Sequence, residues 1–394
     1  MSEARSQVLA GIRVLDLGNF ITAPYAAMLL AEMGADVIKV ERPDGGDPFR
    51  AFNGGLYSSH FQAHNRNKRS IALDYTAPAG REVLATLVQQ ADVLLLNVRP
   101  GVAEKLGLDH ARCRALHPGL VYCSITGYGA DGPYAERAAY DNVGQSLSGW
   151  LSMFHQGQDA RVPGPAVSDA VTGLFAAMGI LAALVERQRT GQGRQVEVSM
   201  LEAMIAFATE PLGKWLATGE PVGFYNRAAS SQSFIVTCAD GLRIGLHLSS
   251  PLKFWQGLVA AISAAHLLDK YPDRQARVNR YDELAQDLAA VFAARDRAHW
   301  LPLLEAHDVP FAPERHLHEL AEDPQVQHLG VFYQLTHPQQ GEVGAAHRAV
   351  RFDGDHRSDF RPPPTLGEHT WEVLHDAGLS AEAIDRLWQE GVLA

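Results

Sequence analysis

Gly11-Ile12-Arg13-Val14-Leu15-Asp16-Leu17-Gly18 reads as a buried strand, residues 24–33 as a helix with Pro24 in its first turn, and residues 35–41 as a second strand. This is a βαβ opening. The alternation continues with helical spacing over 78–91, a strand at 92–97, short helices near 102–106 and 110–116, and a strand at 120–126. Strands alternating with helices predict a mostly parallel sheet covered on both faces, a Rossmann-like α/β unit. Such sheets bind ligands at the carboxyl ends of their strands. Here those ends fall at 18–24, 41–42, 97–101 and 127–132.

The first of these turns, Gly18-Asn19-Phe20-Ile21-Thr22-Ala23-Pro24, lacks the GxGxxG spacing that lets backbone approach a pyrophosphate. Nicotinamide or flavin binding in the usual manner is not indicated. Glu41 stands where dinucleotide enzymes carry a ribose-binding acid, but without those glycines it reads as a solvated charge at a strand end.

Further along, the Gly/Pro stretch Gly164-Pro165-Ala166-Val167-Ser168-Asp169 runs into an uncharged apolar segment, 170–185, which places Asp169 at a helix start. Free N–H groups and the positive end of the helix dipole are expected there to keep its carboxylate ionised at neutral pH. An ionised Asp beside a Gly-rich loop can act as a nucleophile. The plain alternative is that Ser168 or Asp169 only caps a buried helix.

A strand at 194–198 and one helix over 199–218 follow, and Gly219-Glu220-Pro221 then breaks the pattern. From residue 234 the grammar changes. Runs at 234–238 and 242–247 around Ala239-Asp240-Gly241 form a hairpin, with helices at 251–263, 281–295 and 297–306. The expected organisation is a large domain over 1–217, a small α+β domain over 226–315, and a segment 316–394 that returns to the large domain. Two short helices, 369–377 and 380–390, end it.

The chain has 394 residues, which exceeds one compact core and fits two domains. Its hydrophobic and charged fractions are those of a soluble globular protein. A net charge of -11 argues against nucleic-acid binding, so any polyanionic ligand must meet a local basic patch. Cys113, Cys123 and Cys238 lack metal or disulfide spacing and read as free thiols. Residues 1–7 show no apolar leader and 170–185 is short for a membrane span, so a cytoplasmic enzyme without membrane contact is expected. His316-Leu317-His318-Glu319 reads as solvated surface, and no metal is expected.

Several stretches together resemble the class III CoA-transferases, the superfamily of formyl-CoA transferase, carnitine CoA-transferase and 2-methylacyl-CoA racemase. They are Leu15-Asp16 with Ala23-Pro24, Gly34 to Glu41, Asn67-Lys68-Arg69-Ser70, Tyr128-Gly129 with Gly132-Pro133-Tyr134, Ser168-Asp169, Thr190-Gly191-Gln192-Gly193 and Leu366-Gly367-Glu368-His369-Thr370. They occur in order from end to end. The resemblance implies an interlocked homodimer and Asp169 as a nucleophile that carries acyl anhydride and CoA thioester intermediates. It implies no tightly bound cofactor: coenzyme A, as acyl-CoA, and a carboxylic acid are the substrates.

By the same resemblance Phe20, Ile21 and Thr22 flank the thioester or pantetheine arm. Leu73, Asn97, Val98 and Leu106 lie at the adenosine end, and Tyr140 and Met200 form a wall of the active site. CoA phosphates require cations, for which Arg42, Lys105 and Arg99 are the expected contacts, with Lys68 and Arg69 in the same patch. The related racemases carry a histidine where Tyr140 stands. Tyrosine is a poor base at neutral pH, which makes α-proton racemase the second reading and a non-catalytic CoA-binding homologue the third. The loop Ala228-Ala229-Ser230-Ser231-Gln232 and the turn residue Ile21 depart from the formyl-CoA transferase pattern. Arg227 beside that loop is a candidate partner for the second carboxylate of succinyl-type substrates.

Overall fold

The computed structural model describes residues 7–154, 160–249, 252–355 and 360–394. The leading segment 1–6 and position 251, where the 251–263 helix was expected to begin, lie outside them. The chain divides into two compact units, Met1–Thr209 with Gly330–Ala394, and Glu210–Leu329.

In the first unit, β1 (Arg13–Asp16), β2 (Asp36–Glu41), β3 (Lys68–Ala72), β4 (Val93–Leu96), β5 (Val121–Thr126) and β6 (Gln195–Ser199) form one sheet. Its order is β3-β2-β1-β4-β5-β6, with every pair parallel. The inner strands are continuous apolar runs because helices cover both of their faces. One face packs Val14, Val37 and Val93 against α1 (Thr22–Glu32) and a long helix at 167–190. The other packs Leu15, Ile38 and Leu94 against α2 (Pro78–Gln89) and two C-terminal helices.

The strand order reverses between β1 and β4, since β2 and β3 lie on one side of β1 and β4 to β6 on the other. That reversal leaves a crevice above the carboxyl ends of β1 and β4, the usual ligand position in open α/β sheets.

β3 is a strand that pattern reading passes over, since it opens with Lys68-Arg69-Ser70 and yet all five residues are buried. Lys68 Nζ is satisfied inside, donating to Asp16 Oδ2 (2.8 Å), Asn65 Oδ1 (2.7 Å) and the Pro24 carbonyl (2.9 Å). Glu41 is likewise no solvated charge: it is 4% exposed and clamps Arg50 through both oxygens at 2.8 and 2.7 Å.

Beyond β5 come α3 (Asp141–Leu147) and α4 (Val167–Thr190). At 24 residues α4 is longer than expected and apolar enough to cross a membrane by length and composition, but half of it is buried and it packs along α1 and β5 as a core helix. The helix expected over 199–218 is two, α5 (Met200–Phe207) and α6 (Thr209–Thr218). Pro211 has no N–H and clashes with the turn before it, so the chain restarts with proline in a first turn.

The second unit carries its own antiparallel sheet, β7 (Ser233–Thr237), β8 (Arg243–His247) and β9 (Phe311–Pro313), over a core of Trp255, Leu258, Phe292 and Trp300. Residues 226–231 form a short helix ending at left-handed Gln232, whose side-chain oxygen accepts a bond from Arg277. Back in the first unit, the tail is not a simple extended crossing. It contains the hairpin β10 (Phe332–His337) and β11 (Gly341–Ala346), then α7 (Thr370–Asp376) and α8 (Ala381–Gln389). The chain ends on the sheet itself, where Leu393 bridges Leu73 and Ala394 N–H donates to the Ala72 carbonyl.

Candidate active site

Asp169 lies in the first turn of α4, as its sequence context predicts, but the electrostatics there are reversed. The free N–H groups of that turn are taken by a second acid: Asp141 Oδ1 accepts from Ser168 N (2.8 Å) and Asp169 N (3.2 Å). Its other oxygen accepts from Gln145 Nε2 at 2.6 Å. A carboxylate already fills the positive end of the helix, so Asp169 gains nothing from it. Burial first, and the Asp141 charge second, push the Asp169 carboxyl up to about 7.

Two glycines allow this geometry. A Cβ on Gly144 in α3 would stand 2.4 Å from Ser168 Oγ, so only glycine lets Asp141 reach the end of α4. A Cβ on Gly173 would meet the Thr22 carbonyl at 2.8 Å, so α4 and α1 cross at backbone contact. Asp169 is thereby fixed beside the turn that follows β1.

That turn is held from β4. Asn97 Nδ2 donates to the Asn19 carbonyl and to Thr22 Oγ1, both at 2.8 Å, and Asn97 Oδ1 accepts from Asn19 N at 2.9 Å. Asn97 lines the cleft but commits its amide to the turn. Phe20 takes the left-handed conformation, φ 63°, which costs a bulky residue about 1–3 kcal/mol and persists only where the surroundings impose it. Its ring meets Tyr140 edge-on at 5.9 Å.

The structure gathers Phe20, Ile21, Thr22, Asn97, Val98, Arg99, Tyr140, Met200 and Asp169 around one cleft of about 190 Å³. Arg137 completes it, a residue that sequence reading missed. The signal was present, because Arg137 follows β5 as Arg99 follows β4, but the strand-end search stopped at residue 132. Neither Arg99 nor Arg137 is ion-paired with a carboxylate among the described residues; Arg137 lies over the Tyr134 ring at 3.9 Å.

Four expected contacts do not line this cleft. Arg42 pairs with Asp44 at 2.7 Å in solvent, and Lys105 is exposed on the helix Val102–Leu106. Leu73 is fully buried in the core, and Leu106 packs half-buried against it. Lys68 and Arg69 are no part of a basic patch. Lys68 is interior, and Arg69 is held by Asp36 (2.6 Å), Glu372 (2.9 Å) and Asp376 (3.3 Å). Arg227, in the other unit, pairs with Glu210 at 2.8 Å.

No group of three or more His, Cys, Asp or Glu side chains gathers to hold a metal among the described residues. A larger cavity of about 1070 Å³ lies in the second unit on the β7–β8–β9 sheet, with mostly apolar walls. Size is not what marks a reactive site. The smaller cleft combines a strand-order reversal, two unpaired arginines and a carboxyl shifted into the neutral range.

Comparison with known proteins agrees with this reading of the fold and the cleft. The chain is 34% identical over 398 aligned positions to the succinyl-CoA:glutarate CoA-transferase of Mus musculus, covering 98% of this chain and 90% of the relative. It is 33% identical over 384 positions to the succinate–glutarate CoA-transferase of Agrobacterium fabrum, with 94% and 96% covered. The crystal structure of a CAIB/BAIF family protein from Brucella suis superposes with a TM-score of 0.81 at 30% identity, covering 94% of this chain and 99% of that one. The sequence profile named CoA-transferase family III matches residues 9–370, and the chain therefore belongs to that family.

Proposed function

We propose that the protein moves CoA from an acyl-CoA to a free carboxylic acid by covalent catalysis on Asp169. The observation that carries this reading is the Asp169 carboxyl standing in a narrow cleft at the strand-order reversal, with its pKa raised to about 7. A carboxylate with such a pKa is more nucleophilic than an ordinary one and still substantially ionised at neutral pH.

An Asp169 oxygen attacks the thioester carbon, the C–S bond breaks, and CoA leaves as thiolate, giving an aspartyl mixed anhydride. The thiolate attacks the aspartyl carbonyl, which forms an aspartyl-CoA thioester and releases the donor acid. The acceptor carboxylate then attacks that carbonyl and expels CoA thiolate, which closes the cycle by taking the acceptor's acyl group and freeing Asp169. Each bond broken is replaced by one of similar energy, so the balance needs neither ATP nor a redox partner.

Phe20, Ile21, Thr22, Tyr140 and Met200 wall the thioester. Arg99 and Arg137 supply the nearest positive charge. The rest of CoA runs along the carboxyl edge of the sheet past Val98 and Leu106, where Arg42 and Lys105 meet phosphate and Leu73 and Asn97 support the adenosine end. The chain's similarity to succinyl-CoA:glutarate transferases supports short dicarboxylic acids as the substrate pair. The active form is a homodimer. Its support is an exposed apolar stripe on α4, Leu174, Met178 and Val185, continued by Phe207 of α5.

The test is mass spectrometry of CoA esters after mixing succinyl-CoA with glutarate and with a panel of monocarboxylic acids in deuterated water. Glutaryl-CoA is expected, with no deuterium in the recovered succinyl-CoA; Asp169→Ala and Asp169→Asn are expected to lose about 10³-fold or more. Full activity in Asp169→Ala would end the proposed mechanism, and α-deuteration without exchange would favour the racemase.

A further inference from the structure

Every backbone donor and acceptor from the Gly18 N–H to the Phe20 N–H is held by a side chain from elsewhere in the fold. Asp16 Oδ1 accepts from Gly18 N (2.9 Å), Lys39 Nζ donates to the Gly18 carbonyl (2.7 Å), and Asn97 holds both polar groups of Asn19. Asp47 Oδ1 accepts from Phe20 N at 3.1 Å. Asp47 and Lys39 are also paired with each other, Oδ2 to Nζ at 3.0 Å, and both are fully buried.

Neither residue lines the cleft that contains Asp169. Both act on its wall. Phe20 is held at a φ of 63° that a phenylalanine avoids when free to relax, and Asp47 is aimed at the N–H of that same residue. The Phe20 ring is then packed edge-on between Phe49 (5.2 Å) and Tyr140 (5.9 Å). Asp47 is fixed in turn, accepting from Phe49 N (3.0 Å) and donating its own N–H to Glu41 Oε1 (3.0 Å).

A buried ion pair is seldom more stable than apolar residues of the same volume, so its presence beneath this turn is better explained by the geometry it imposes. We infer that Asp47, with Lys39, is a positioning residue of the transferase: the pair locks Phe20 in its left-handed conformation and so sets the wall against which the CoA arm lies. Without the acceptor at Asp47 the turn relaxes and the ring leaves the cleft. This deepens the proposed function and rests on it.

The test is a double-mutant cycle between Asp47→Asn and Phe20→Ala on the full chain, read as free CoA affinity by calorimetry and as kcat and KM for succinyl-CoA. Each single variant is expected to weaken CoA binding and raise KM about tenfold. The double variant is expected to match Phe20→Ala within twofold, because Asp47 has no other route to the substrate. Losses that multiply to about a hundredfold, or native affinity in Asp47→Asn, would overturn the inference. If Asp47→Asn alone leaves Lys39 unpaired and unfolds the chain, Asp47→Asn with Lys39→Met goes through the same cycle with the same two outcomes. Absence of CoA binding by the native protein would overturn the transferase reading itself, a result distinct from either.

Discussion

With its carboxyl held near pH 7, Asp169 is close to half protonated in neutral solution, and only the ionised half can attack a thioester. The ionised fraction falls tenfold for each unit below that pKa, so kcat/KM is expected to drop along an acid limb centred near 7 and to level above it. Asp141→Asn keeps an oxygen for the Ser168 and Asp169 N–H groups and removes the charge. The limb then moves to lower pH but stays above the ordinary carboxylate range, since burial is the larger cause and remains. A pH–rate profile in which Asp141→Asn coincides with the native enzyme would show that the second acid does not act on the nucleophile. Asp169 itself was legible in the sequence as a lone acid before an apolar run. Asp141 was not, because its effect exists only once two helices 28 residues apart meet.

Helices and strands were legible wherever local pattern and burial agree. The apolar runs of β1, β2, β4 and β5 and the spacing of α2 give the parallel unit and its carboxyl-edge crevice. β3 escaped because the partner that neutralises Lys68 is Asp16, 52 residues earlier. The hairpin β10–β11 escaped because its Pro/Gly-bounded turn sits in a tail whose triple proline reads as extended chain. Asp47 and Lys39 carry no local signal at all. The crossing of α4 and α1 is the element-scale test. Gly173→Ala gains up to about 1 kcal/mol of helix propensity but drives a methyl group into the Thr22 carbonyl, a backbone atom that cannot swing aside. A net loss of about 1–3 kcal/mol is expected in denaturant titration, with kcat/KM falling as well, because the helix displaced is the one that carries Asp169. An unchanged midpoint would mean that the two helices part at no cost.

For the whole molecule, the exposed Leu174, Met178 and Val185 fall on one side of a helix whose other side is core. Light scattering is expected to give twice the mass of the chain, and Met178→Glu to shift it toward the monomer; a native monomer would remove the dimer from the proposal. The catalytic unit is assembled from Met1–Thr209 and Gly330–Ala394, and its sheet is finished by Leu393 and Ala394 lying against Leu73 and Ala72. During synthesis the nucleophile and the crevice residues therefore leave the ribosome long before the helices that roof one face of their sheet. Glu210–Leu329, with a core of its own, can fold in the meantime, while the earlier half waits with apolar surface uncovered. A stop codon a few triplets early would thus spare every reactive group and still disable the enzyme.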